Sequence, residues 1–170
     1  FISGGQSAGR ATCQLLRRTD DPPGNVWSPP PWDAPKPAEI PEPEDRRSGM
    51  GGMWAMRPIA GAFGSLGERK TWMAEARELV EGRPWTPFAR VAVAADFASP
   101  FANAGDQGLA YINSDVTIYL HREPVTEWVG FEVVNHGHSD GIAIGECFLH
   151  DEQGPIGSAS CTALAQKRKV

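Results

Sequence analysis

The chain has 170 residues, of which 41% are hydrophobic, and a formal net charge of −5. This length is enough for one domain of ordinary size with its own core. The acidic balance argues against nucleic acid or an anionic membrane as the main partner. Its three cysteines form no CxxC motif, and we find neither an apolar run of about 18 residues nor a signal-peptide pattern. We therefore expect a soluble, cytoplasmic protein in a reducing compartment.

The first segment, 11–17 (ATCQLLR), has the composition of a strand. A strand needs a partner, and only the stub FIS precedes it. We therefore expect the chain to be the later part of a longer protein, or to lack some segments. Residues 21–45 follow, with nine of the fifteen prolines, which excludes helix and sheet there. This pattern predicts an extended linker that lies over a surface through Trp27, Trp32 and Ile40.

Two strands are predicted next, over 53–63 and 70–80, although the helix-forming residues of 70–80 make that strand ambiguous. A helix is then predicted to begin at Thr86, a good N-cap, with Pro87 at its first position. Ser99-Pro100 is predicted to end this helix. Its apolar and small residues occur all round, so we expect it to be buried on most sides.

The stretch 111–124 (YINSDVTIYLHREP) alternates like a half-buried strand. Ile112, Val116, Ile118 and Leu120 are expected to pack on the helix, with Asp115 on the opposite, polar face. Three more strands are predicted over 127–136, 141–151 and 154–166, separated by the turn residues GHSD and DEQG. A meander of antiparallel strands around one apolar helix predicts an α+β protein with the hotdog fold.

The motifs of this region resemble the C-terminal half of the acyl-CoA thioesterase II-like family, the double-hotdog thioesterases. The most specific match is a strand with Asp115, followed by His121-Arg122, Pro124 and Glu127-Trp128. The resemblance covers about residues 51–168. It implies closing strands of an incomplete first hotdog over 1–20, a Pro-rich linker over 21–50 and a hotdog domain over 51–170.

The resemblance also implies an activity, the hydrolysis of acyl-CoA thioesters by water. The family site combines an Asp, a Thr or Ser, and a Gln. Here Asp115 matches the Asp, and His136 or its neighbour Asn135 occupies the Thr/Ser place. Cys161 occupies the Gln place, or Thr162 does if the preceding turn is one residue longer. Coenzyme A enters as part of the substrate, and no separate cofactor is expected.

The residues themselves leave alternatives open for these positions. Asp115 is either the carboxylate that orients a water or a solvated acid on a polar strand face. His136 is either a base whose tautomer Asp115 holds, or a surface histidine in a loop. Two histidines two residues apart in a turn indicate a metal only weakly, so no metal is expected. Cys161 is either a nucleophile or a small buried hydrophobe.

Two further positions are candidates for binding the substrate. Arg122 could pair with CoA phosphates, or form a salt bridge to Glu123 or Glu127. The helix start at Thr86 carries free backbone N–H groups that favour developing negative charge. The resemblance implies that this end lies near the thioester carbonyl.

We therefore carry two hypotheses. The first is an enzyme that hydrolyses a hydrophobic acyl-CoA with a water activated at Asp115. The second is a catalytically degenerate hotdog that binds acyl-CoA or acts as an assembly partner. In either case the expected partner is a small acyl-CoA molecule, without nucleic acid or membrane, and we expect a homo-oligomer through hotdog pairing.

Overall fold

The computed structural model describes residues 2–41 and 52–166. By contacts between residues, the chain divides into one unit that ends at Pro30 and another that begins at Pro31. In the first unit, the two-residue strands β1 (Ile2–Ser3) and β2 (Gln6–Ser7) pair antiparallel. The strand predicted over 11–17 is wrong: these residues are exposed and lie in no strand. No strand in the described part of this unit lies beside them to complete their backbone hydrogen bonds.

The three domain ranges, 1–20, 21–50 and 51–170, stay predictions. The boundary between the last two lies outside the described residues. Within the second unit, Trp32 of the Pro-rich segment stacks on His150, with ring centroids 4.1 Å apart, and contacts Trp72 at 4.8 Å. The Trp72 Nε1–H donates to the carbonyl of Pro35. Trp32 therefore lies on a surface as predicted, whereas Trp27 is 83% exposed.

The second unit is built mainly from strands. Their bounds are β3 Trp54–Ala60, β4 Lys70–Glu75, β5 Ala104–Gly105, β6 Gly108–Leu109, β7 Tyr111–Asn113, β8 Thr117–Leu120, β9 Val129–Ser139, β10 Ile142–Asp151 and β11 Gly154–Ala165. Among the described residues, β3-β4-β9-β10-β11-β7 are neighbours in one antiparallel sheet, and β8 also pairs with β11. The predicted meander of β9, β10 and β11 is confirmed, as is the strand assignment of residues 70–75.

A short 3₁₀ helix (Pro37–Glu39) lies in the Pro-rich segment, where the prolines were predicted to exclude any helix. The main helical part consists of α1 (Pro87–Ala94), a 3₁₀ turn (Ala95–Phe97) and α2 (Ala98–Asn103), which follow one another without a break. The prediction that Ser99-Pro100 ends the helix is wrong. The 3₁₀ turn restarts the helix, so Pro100 falls in the first turn of α2, where a backbone N–H has no intrahelical partner to lose.

The sheet wraps around α2, which contacts β7, β9, β10 and β11. Aromatic rings join the two layers: Phe97 stacks on Phe101 and meets Phe131 of β9 edge-on. Every residue of α2 except Pro100 is buried, but Phe88 near the start of α1 is 47% exposed. The expectation of burial on most sides therefore holds for α2 and fails for the start of α1. A curled antiparallel sheet around one helix is the predicted hotdog arrangement.

The edge strand is interrupted between β7 and β8. Asn113 lies opposite Ala163, and Thr117 lies opposite Ser160. The edge strand therefore advances by four residues between these two pairs, whereas β11 advances by only three. This extra residue is a β-bulge, which bends a strand and redirects its side chains.

The bulge changes which side chains of this stretch face the helix. A shift of one residue turns side chains to the opposite face of a sheet. Val116, Ile118 and Leu120 pack against the core, as predicted, but Ile112 is 43% exposed. The prediction of one unbroken alternation is therefore wrong at Ile112.

Candidate active site

Asp115 lies in the bulge between β7 and β8. Its Oδ1 accepts a hydrogen bond from the backbone N–H of Thr162 at 3.0 Å and another from the Thr162 hydroxyl. The hydroxyl of Ser114 lies 2.7 Å from the Thr162 hydroxyl oxygen. The redirected strand thus turns Asp115 towards β11, where it meets Thr162, the second of the two positions considered for the family Gln.

These contacts form a hydrogen-bonded chain with one direction. The Thr162 hydroxyl gives its hydrogen to Asp115, so the Ser114 hydroxyl donates to Thr162. No described residue donates to Oδ2 of Asp115. Ser114, Asp115 and Thr162 are all exposed, so the site is open to solvent in this chain. A carboxylate that is fixed at one oxygen and free at the other can accept a proton from a water molecule.

A row of three residues crosses the sheet beside this site. Gly145 of β10 lies directly opposite His136 on one side and Cys161 on the other. The row faces α2, because a Cβ on Gly145 would lie 2.7 Å from both Ala102 Cβ and Asn103 Oδ1. Glycine at this position therefore lets the helix end lie close to the sheet.

His136 lies in β9, within the strand predicted over 127–136, so the alternative of a histidine in a loop is wrong, and so is most of the turn predicted at GHSD. The strand continues to Ser139, and the reversal is made by Asp140 and Gly141, which both have positive φ. Asp-Gly is the sequence that such a two-residue hairpin turn favours. As a result His136 and His138, two residues apart on a strand, point to the same face.

The predicted pairing of Asp115 with His136 is not formed. Three strand-to-strand steps separate them, roughly 14 Å along the sheet. Instead, His136 Nδ1 lies 3.0 Å from Asn103 Oδ1, and its Nε2 lies 3.1 Å from His138 Nδ1. A base at His136 would therefore be oriented by Asn103 and not by Asp115.

Asn103 determines the tautomer of His136. The Asn103 Nδ2 donates to the Ser99 hydroxyl at 3.3 Å, so its Oδ1 is the atom that faces His136. His136 consequently carries its hydrogen on Nδ1 and keeps the lone pair on Nε2. Burial, followed by the nearby His138 and Arg69, lowers the pKa of His136 below its usual value. Both Asn103 and Ser99 are buried.

The other two predicted catalytic residues have structural contacts. Asn135 donates from Nδ2 to Glu146 at 2.8 Å. Cys161 is buried, and burial, with smaller contributions from Asp115 and Asp96, raises the pKa of its thiol to about 11. A thiol with this pKa is protonated near neutral pH, which favours the interpretation of Cys161 as a small buried hydrophobe over that of a nucleophile.

Thr86 begins the helix as predicted, and its hydroxyl accepts from the N–H of Ala89 at 3.2 Å. It lies far from Asp115, however. The helix comes near that site at Asp96, which accepts from Asn113 at 3.2 Å. Asp96 lies ten residues after Thr86 in the helical part of the chain, about 15 Å at 1.5 Å per residue. Beside the helix start lies a cavity of about 520 Å³, lined by Trp85, Pro87, Arg90, Pro124, Val125, Thr126, Glu127 and Glu152.

Arg122 forms an ion pair, but with neither of the predicted partners. Its guanidinium donates two hydrogen bonds of 2.6 Å to the carboxylate of Asp151 and one of 3.0 Å to the carbonyl of Gly154. Sequence spacing could not indicate this pairing, because Asp151 lies on β10, 29 residues away. The guanidinium that was a candidate for CoA phosphates is therefore bound within the fold.

Across residues 2–41 and 52–166, no three His, Cys, Asp or Glu side chains come together as a possible metal site. No helix in these ranges is both long and apolar enough to cross a membrane.

Comparison with known proteins decides the family. The model of the acyl-CoA thioesterase C-terminal domain family matches residues 27–164. The chain belongs to this family. No curated protein matches its sequence significantly.

Solved structures agree with this acyl-CoA thioesterase C-terminal domain assignment at the level of the fold. A hotdog-fold protein of unknown function from Alicyclobacillus acidocaldarius matches with a TM-score of 0.62 and 17% identity, covering 91% of this chain and 60% of that one. The TesB protein of Mycobacterium avium subs paratuberculosis matches at 0.59 and 14%, covering 85% and 56%. Acyl-CoA thioesterase II TesB2 of Mycobacterium marinum matches at 0.51 and 14%, covering 91% and 60%. The chain thus spans less than two thirds of the length of these proteins.

Sequence reasoning missed two residues of this thioesterase-family domain. Ser114, which extends the hydrogen-bonded chain to Asp115, had a signal in its position directly before the matched Asp. Asn103, which orients His136, had no usable signal, because the helix was predicted to end before it. The roles of Asp115, His136, Asn135, Cys161, Thr86 and Arg122 in catalysis or binding remain predictions.

Proposed function

We propose that this domain hydrolyses the thioester of a hydrophobic acyl-CoA, with water activated at Asp115 and with Thr162 and Ser114 as its supporting residues. The observation that carries the proposal is the fixed Asp115 carboxylate, whose Oδ1 accepts two hydrogen bonds from Thr162. No described group donates to Oδ2. The membership in the acyl-CoA thioesterase C-terminal domain family supports the reaction class.

The proposed reaction needs one proton acceptor. Asp115 Oδ2 accepts a proton from water as the water oxygen bonds to the thioester carbon. When the tetrahedral intermediate collapses, the carbon–sulfur bond breaks, and the proton on Asp115 passes to the departing thiolate. The products are the free acid and CoA thiol. No cofactor is needed beyond the CoA that belongs to the substrate.

The sheet face that carries the Thr162 side chain is rich in exposed aliphatic residues, which favours a hydrophobic acyl group in the substrate. Ile144 lies directly opposite Thr162, and the next row along the strands is Ile142, Leu164 and Ile112. These four side chains are between 43% and 56% exposed. They offer an aliphatic chain a contact surface beside the carboxylate.

The experiment follows CoA thiol release from acyl-CoAs of several chain lengths, using Asp115→Asn, Thr162→Val and the matched control Tyr119→Phe. Tyr119 is an exposed residue of the adjoining strand β8. We expect kcat to fall by about 10²-fold or more in Asp115→Asn, in the range by which general bases act, and less in Thr162→Val. Activity in Asp115→Asn equal to that of the control variant would remove Asp115 from the mechanism.

The exposure of the site favours a second candidate, a hotdog that binds acyl-CoA without cleaving it. Asp115 and Thr162 are open to solvent, whereas catalytic groups work best where water is excluded. Calorimetric titration with a non-hydrolysable thioether analogue of acyl-CoA separates the two candidates. Binding of the analogue together with no thiol release at any chain length would support the second.

The proposal includes a cytoplasmic location and a homo-oligomer formed through hotdog pairing. The composition supports the location, since three unpaired cysteines suit a reducing compartment. Light scattering of the purified chain tests the assembly, and a mass of one chain at all concentrations would contradict it.

A further inference from the structure

The pair His136 and His138 has a geometry that the sequence did not indicate. In a turn, two histidines two residues apart have no fixed relation. On strand β9 they project from the same face, and His136 Nε2 lies 3.1 Å from His138 Nδ1. Two nitrogens that bind one metal at about 2.0–2.1 Å are separated by about 3 Å, so this spacing suits a shared ion.

The environment of His136 also matches that of a metal ligand. A ligating histidine usually donates its other ring N–H to a carbonyl or carboxylate, which fixes the tautomer and the ring plane. Here the acceptor is Asn103 Oδ1 at 3.0 Å. Asn103 is 4% exposed and is held by Ser99, which is 1% exposed. The lone pair on His136 Nε2 therefore points at a fixed place beside His138.

The surroundings leave this place accessible. His136 and His138 are both exposed, and the ring of Tyr111 stands 6.2 Å from the first imidazole and 5.7 Å from the second. An ion between the imidazoles could complete its coordination with water. Two neutral imidazoles select the later first-row divalent metals, which prefer nitrogen, over Mg²⁺ or Ca²⁺, which prefer oxygen.

We propose that His136 and His138 bind one divalent ion of the copper, nickel or zinc class, with Asn103 as the residue that positions His136. The site lies roughly 14 Å along the sheet from Asp115 and does not depend on the hydrolysis proposed there. Binding replaces the contact between the two rings: His136 gives the lone pair of Nε2 and His138 that of Nδ1, and the hydrogen that His138 carried on Nδ1 moves to its Nε2 by exchange with water, with no net release of protons.

The test is calorimetric titration of the tag-free full chain with Ni²⁺ and, separately, Cu²⁺. We expect one ion per chain, with affinity rising from Ni²⁺ to Cu²⁺. His138→Ala should weaken binding at least tenfold, and His121→Ala, which alters an exposed histidine after β8, should leave it unchanged. Electron paramagnetic resonance of the Cu²⁺ complex should show two imidazole nitrogen ligands in the parent chain and one in His138→Ala.

The variant Asn103→Ala distinguishes two cases. In one, Asn103 orients His136 for the metal; in the other, two surface histidines bind the metal without help from Asn103. Loss of a residue that orients a ligand typically costs 10–100-fold in metal affinity, and we expect a loss in this range. Circular dichroism confirms that each variant is folded before titration. Equal binding by the parent chain and a His136→Ala/His138→Ala double variant would overturn the site, and unchanged affinity in folded Asn103→Ala would overturn the role of Asn103.

Discussion

Replacing Arg122 by Met tests whether this side chain stabilises the fold or binds a phosphate of CoA. The side chain of Asp151 is 0% exposed. Its carboxylate accepts hydrogen bonds from both terminal nitrogens of Arg122, at 2.6 Å each. It also accepts from the backbone N–H groups of Val125 and Gln153, at 2.9 Å each. The ion pair therefore ties the β10–β11 turn to the segment that follows β8. In Arg122→Met the two backbone donors remain, but the buried carboxylate loses its counter-charge.

The expected cost comes from that uncompensated charge. Breaking a buried ion pair on one side costs about 3–5 kcal/mol, and the two remaining backbone donors indicate the lower end, about 3 kcal/mol. In a protein of this size each kcal/mol shifts Tm by about 2–4 °C, so we expect a fall of about 6–12 °C. Urea unfolding at pH 7 measures the free energy directly, with Arg83→Met, an exposed arginine, as the matched control.

The pH dependence adds a second signature. The hydrogen bonds from Arg122 and from the backbone outweigh burial and lower the pKa of Asp151. A carboxyl with a lowered pKa in the folded state stabilises the fold above its unfolded pKa of about 3.9, and this stabilisation is lost as pH falls through the lower, folded value. The difference between parent and variant should therefore shrink below about pH 4. A variant as stable as Arg83→Met, but with a raised KM for acyl-CoA, would refute the structural role.

The remaining predictions concern packing, thiol chemistry and the helix start. In Gly130→Ala the new Cβ would overlap the ring of Trp32, so we expect a loss of about 1–3 kcal/mol and a red-shifted tryptophan emission, whereas unchanged emission would contradict the contact. Iodoacetamide at pH 8 should label exposed Cys13 quickly and leave Cys161 unmodified until the chain unfolds, as mass spectrometry of digests can show. Thr86→Ala should cost about 1 kcal/mol in urea unfolding through loss of the N-cap, while Thr86→Ser should restore most of it.

The sequence allowed the hotdog fold to be predicted because its strands and helix carry local signals. Thr86-Pro87 located the start of the helix, and the turn residues GHSD and DEQG separated the long strands, although the first of these reversals is confined to Asp140-Gly141. The end of the helix was mispredicted because Pro100 is tolerated in a first helical turn, and only tertiary packing shows that the helix restarts there. The strand predicted over 11–17 is wrong because these residues have the composition of a strand but no neighbouring strand in the described part of the chain to pair with.

The candidate site was harder to predict, because it depends on register. A single extra residue between Asn113 and Thr117 turns Asp115 towards Thr162, and alternation cannot reveal such a bulge. Cys161, the nearer sequence match to the family Gln, faces the helix, because successive residues of β11 point to opposite faces, while Thr162 reaches the carboxylate. Long-range pairings such as Arg122 with Asp151 and His136 with Asn103 leave no trace in sequence spacing.

The most direct test of the central claim is the kcat of Asp115→Asn for CoA thiol release from a long-chain acyl-CoA. Asn keeps the size of the side chain and an oxygen for the Thr162 hydrogen bonds, so the fold should persist, while the ability to accept a proton is lost. We predict that kcat falls by about 10²-fold or more and that urea unfolding stays within about 1 kcal/mol of the parent. A folded Asp115→Asn domain that releases thiol at the parent rate would contradict the account.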